Sequence, residues 1–140
     1  MSNPAADGAR HAEGLLRLLT DADEPGADRL LAEVTEIRDL VFVGAGLTAV
    51  ARAEARTLPP AQRAQANTRQ LRLGDLRDAN RDNPAGLRIW LRQAAEEILL
   101  IRSQQAIADA VTAVGQERTT ARVAAEATGS AATSSAATST

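Results

Sequence analysis

Beyond the Asn83-Pro84 pair, Leu87, Leu91, Ala94, Ile98, Ile101, Gln105 and Ala108 recur at alternating spacings of four and three. A strand alternates faces every two residues, so this seam fits a helix whose apolar stripe meets another helix along its length. Asn83 offers a side-chain acceptor to the first free N–H groups, and Pro84 takes the first helical position, where its missing N–H is not needed. Leu99, Leu100, Ile107, Val111 and Val114 widen the stripe. The helix is therefore expected to touch more than one neighbour, and to fray or bend at Gly115.

Prolines mark off the remaining segments, because a proline is tolerated in the first turn of a helix and disrupts its interior. Pro25, Pro59-Pro60 and Pro84 leave four helical stretches. The first covers about residues 4–21, with Asn3 as its cap and Leu15, Leu16, Leu18 and Leu19 on one side. The second runs from about 26 to 57 and sets Leu30, Val34, Ile37, Val41, Ala45, Thr48 and Ala55 three, four or seven apart, the pattern of a single helical face. At a rise of about 1.5 Å per residue it would be roughly 48 Å long, which calls for an equally long partner. The fourth segment supplies one. The third, from Pro60 to about Asn80, is polar and rich in Arg and Gln. From Gly129 the chain reads GSAATSSAATST, with nothing worth burying, so a disordered tail over 129–140 is expected behind a helical domain over 1–128. The pattern predicts an all-α, elongated bundle of about four helices with the second and fourth as a long antiparallel pair.

Composition limits the chemistry. Phe42 and Trp90 are the only aromatics, and the chain has no Tyr, Lys or Cys and a single histidine, His11. Most of the side chains that act as nucleophiles, proton shuttles or soft metal ligands are therefore missing. His11 is expected at the surface with no acid converging on it. The run without charge from Leu40 to Ala51 is far shorter than the roughly 20 residues that cross a bilayer. No basic and apolar leader opens the chain, so a cytoplasmic protein without membrane insertion is expected.

The stretch DLVFVGAGLTAVAR, residues 39–52, places Gly44, Gly46 and Ala49 in the spacing of a dinucleotide-binding turn. Such a turn needs a strand before the glycines and a second strand ending in an acid about 20 residues later. The residues at that distance, AQRAQANTRQ, hold neither. The stretch reads better as the middle of a helix, with Gly44, Ala45 and Thr48 as a small-residue patch. Glycine costs about 1 kcal/mol against alanine inside a helix. That loss makes sense where another backbone, or a large side chain such as Trp90, approaches closely. Gly44, Ala45, Thr48, Trp90, Ile98 and Ile101 are accordingly the expected packing residues. Asp78, Asn80 and Asp82, and more weakly Asp21, Asp23 and Gly26, resemble half of a calcium loop, but Ile89 and Ala32 stand where the closing carboxylate belongs. Turn and cap roles suit these residues better, and no metal or cofactor is expected.

Charge is polarised along the chain. Residues 1–40 carry four Arg against nine acids, a net of −5, and residues 52–102 carry ten Arg against six acids, a net of +4. Within the Arg-rich segment 52–81, Arg52, Arg56, Arg63, Arg69 and Arg72 are candidate phosphate contacts. No aromatic accompanies them for base stacking, however, and their pairing with the acidic N-terminal region is the simpler expectation. The sequence points to a non-enzymatic structural or assembly protein acting through helix packing, as a homo-oligomer or an adaptor. Nucleic-acid binding through the Arg-rich segment, and nucleotide-dependent catalysis through GAGLTA, stand as the two alternatives.

Overall fold

The computed structural model describes residues 3–138, with side chains over 3–127. Every regular element among them is helical: α1 (Pro4–Thr20), α2 (Glu24–Glu33), α3 (Ile37–Ala55), α4 (Pro60–Ala79) and α5 (Pro84–Thr138). The chain forms two compact units, Met1–Gln105 and Ala106–Thr140. No helix among the described residues is long and apolar enough to cross a membrane.

Five helices stand where four were expected, because the stretch 26–57 is not one helix. α2 ends at Glu33, Val34 turns extended with ψ 102°, and α3 starts after Glu36. Neither proline nor glycine lies at the break. Val34 is instead buried in the core, and Arg88 on α5 donates from Nε to the Leu31 carbonyl and from Nη2 to the Val34 carbonyl, each at 3.0 Å. The last carbonyls of a helix have no partner within it. Here a guanidinium from another helix joins the Val34 N–H on the Leu31 carbonyl and takes up the Val34 carbonyl, and α2 has no basic residue of its own in its last turn. The break also resets the helical phase. Leu40, Val43, Leu47 and Ala51 form the buried face of α3, whereas Val41 and Ala45, expected on that face, are exposed.

Local chemistry fixes the other ends. Asn3 Oδ1 accepts from the N–H groups of Ala5 and Ala6 ahead of Pro4. Asp23 Oδ1 accepts from Gly26 N at 2.9 Å and caps α2. Between them α1 closes with Ala22 N–H on Leu19 O and Asp23 N–H on Leu18 O, a Schellman pattern that holds Ala22 at a left-handed φ of 57°. Asn80 closes α4, donating from Nδ2 to Leu76 O at 2.8 Å.

Within Met1–Gln105 the helices alternate in direction. Gly14 faces Leu30 and Gly26 faces Leu18, so α1 and α2 are antiparallel. Arg88 reaches the end of α2 and Arg92 its beginning, so α2 and α5 are antiparallel as well. Gly44 meets Trp90, Glu54 meets Arg102 and Thr57 meets Gln105. The numbers rise together, so α3 and α5 run parallel, and the long antiparallel pair expected from the sequence is not formed. α4 runs back between them in sequence and takes the antiparallel place, with Arg69 on Glu97 and Asn80 beside Gly86. The core gathers Leu15, Leu40, Leu47, Leu58, Leu87, Leu91, Ile98 and Ile101, all fully buried.

In the second unit α5 continues through Gly115 without interruption to Thr138, and so through residues expected to form a disordered tail. Side chains from 128 onward, and residues 139–140 altogether, lie outside what the structure describes.

Candidate functional site

Close helix approach is built on glycine. The Trp90 ring lies directly over Gly44, and a Cβ at residue 44 would overlap its ring atoms, coming within 2.7 Å of Cζ2. Thr48 joins Trp90 in lining a groove of about 320 Å³ between α3, α4 and α5. Trp90, Ile98 and Ile101 are buried. Ala45 is exposed and takes no part in this contact. The second close approach is between α1 and α3. A Cβ on Gly46 would sit 3.2 Å from the Ala12 Cβ, and one on Gly8 would come within 2.6 Å of the Phe42 backbone. Gly8 was not singled out by sequence, since no periodic feature distinguishes it before its partner is known.

The GAGLTA residues all lie inside α3. There is no turn at which backbone N–H groups could receive a pyrophosphate, and Gly44 is covered by an indole. The half calcium loops act as turn and cap residues, through Asp23 and Asn80. Among the described residues no three His, Asp or Glu side chains converge as metal ligands. His11 does share a small polar pocket of about 250 Å³ with Asp7, Glu33, Arg38 and Asp39. Glu33 and Asp39 line that pocket because the α2–α3 break returns both to α1.

Two of the five candidate arginines, Arg63 and Arg69, are engaged within the bundle. Glu97 is only 7% exposed, and both its oxygens accept from Arg69 Nε, at 2.8 and 2.7 Å. Arg69 also reaches Gln104 Oε1 at 3.5 Å. Arg63 donates to the Leu58 carbonyl at 3.2 Å. Arg52, Arg56 and Arg72 are exposed. Arg92 on α5 gathers Glu24 and Asp28 of α2. Its Nε lies 3.3 Å from Glu96 Oε1 but off the line of a hydrogen bond. The acidic N-terminal region is thus matched partly by α5. Arg102 donates from Nε and Nη2 to the two Glu54 oxygens. That hydrogen bond raises its pKa above the ordinary arginine value, against a smaller opposing effect of burial and with the Glu54 charge adding to the rise.

The remaining feature is in the second unit. Ile107, Val111 and Val114 are 60%, 66% and 45% exposed, and they lie four and three residues apart on one helical face. The buried seam of α5, continued by the same rule, would pass through Gln105, Ala108, Thr112 and Gly115, which are polar or small. The large apolar side chains have moved to the neighbouring positions. No protein-family model matches this sequence, and comparison with curated proteins and with solved structures returns no match.

Proposed function

We propose that this chain is a non-enzymatic, cytoplasmic assembly protein that works through helix–helix packing, by self-association or as an adaptor in a larger complex. One observation carries the reading: β-branched apolar residues at helical spacing, Ile107, Val111 and Val114, stand exposed on α5. A helix without tertiary packing is marginal in water, and most helical stability in proteins comes from burying an apolar face. A contiguous exposed apolar stripe marks an interaction surface. Nucleic-acid binding keeps Arg52, Arg56 and Arg72 exposed but has less behind it, because Arg69 is engaged by a buried carboxylate, Arg63 by a backbone carbonyl, and no aromatic accompanies the segment for base stacking.

The test is the size of the species in which the chain travels, in extracts of the cells that make it and after purification. The chain is expected to migrate above its monomer mass of 14.7 kDa, and Val111→Asp is expected to return it to that mass. Migration as a free monomer in both settings would overturn the proposal.

A further inference from the structure

We infer that the occupant of this stripe is a second copy of the same chain, paired in parallel and in register along residues 107–125 of α5. The inference rests on the assembly reading above and names its partner.

The spacing sets the register. Ile107, Val114 and Ala121 fall at d positions of a heptad, and Val111, Arg118 and Ala125 at a positions. Glu117 then occupies g and Arg122 the following e. In a parallel two-stranded coil these two positions on opposite strands face each other across the seam, so two copies make the Glu117–Arg122 pair twice. Glu117 has no opposite charge three or four residues away on its own helix, where Ala113, Val114, Thr120 and Ala121 stand. Arg122 has Glu126 one turn on. A second strand is where the Glu117 carboxylate finds its cation. Arg118 at an a position weakens the seam and favours two strands over more, as a charged residue there does, and the partner strand's Glu117 flanks it.

The antiparallel alternative fails on the same residues. Aligned over the whole of 107–125, it sets Val114 against Arg118 and Ile107 and Val111 against alanines; shifted to match Val111 with Val114, it sets Ile107 against Arg118 and leaves Glu117 opposite Ala110 instead of a cation. The first of these registers also brings the two Glu117 carboxylates together, and like charges at such a contact are unfavourable. The parallel pairing matches the largest side chains with each other and turns the acidic residues onto arginines.

The experiment uses the full chain, which has no cysteine of its own. Light scattering over a range of concentrations is expected to show a dimer whose dissociation constant rises about tenfold in Glu117→Arg, since two surface pairs of the usual strength are replaced by repulsion. The double variant Glu117→Arg/Arg122→Glu is expected to recover the dimer. Chains carrying Val111→Cys are mixed with chains carrying Ala121→Cys and allowed to oxidise. In-register parallel pairing gives disulfides only between like chains. Disulfides between unlike chains overturn the inference and leave the assembly reading standing. A purified monomer overturns it too, and the assembly reading is then decided by the species found in extracts. Circular dichroism of each variant checks that the helices are retained.

Discussion

Ala22 and Gly44 show how the worth of one methyl group depends on where the backbone carries it. Ala22 sits at the left-handed position that ends α1, where a Cβ crowds the chain at a cost of roughly 1–2 kcal/mol and glycine is the usual occupant. Glycine also makes the unfolded chain freer, which takes back about 0.4–1 kcal/mol. Ala22→Gly is expected to raise stability by about 0.5–1 kcal/mol, read as a higher urea midpoint with an unchanged slope. At Gly44 the sign reverses. Alanine is the better helix former by up to about 1 kcal/mol, but its Cβ would meet the rigid Trp90 ring, and overpacking typically costs about 1–3 kcal/mol. Gly44→Ala is expected to lower stability by about 1–2 kcal/mol. An unchanged or higher melting temperature would mean that the indole does not cover residue 44.

Among the elements, the joint between α2 and α3 is held by a residue far away in sequence. Arg88 gives two hydrogen bonds at the end of α2, to the Val34 carbonyl and to the Leu31 carbonyl that the Val34 N–H meets only at 3.3 Å, and hydrogen bonds to a charged group contribute about 1.5–3 kcal/mol. Arg88→Ala is expected to cost roughly 2 kcal/mol and to speed amide exchange most in residues 31–40. Uniform change across the bundle would instead point to a general loss of packing. Four of the helix starts were legible: Asn3-Pro4, Asp23 before Pro25, Pro60 and Pro84 are local start signals that act whatever the tertiary context. The break at Val34–Glu36 was not, since β-branched residues only weakly disfavour a helix and the group that binds the Leu31 and Val34 carbonyls comes from α5.

At the scale of the molecule, the two units differ in what holds them. The bundle Met1–Gln105 buries a common core, whereas residues 107, 111, 114 and 123 of the second unit leave large apolar side chains exposed. Hydrogen exchange in dilute solution is expected to show strong protection along the buried seams of α1, α3 and α5 and little over 106–127, with the latter gaining protection as concentration rises. Strong protection of 106–127 at high dilution would mean that the segment is stable without a partner. All-helical structure and the absence of a strand-turn-helix at GAGLTA followed from the sequence, because a 3.6-residue apolar period and a proline at a helix start are properties of the local chain. Gly44 is costly in a helix unless something large lies on it, and the Trp90 ring does, while Ala45, adjacent in sequence, faces outward once the phase is reset. Direction and pairing belonged to the tertiary structure alone. Whether α3 and α5 run parallel depends on an extra helix created by Arg88 and Val34 across the fold, a long-range contact that no local pattern encodes.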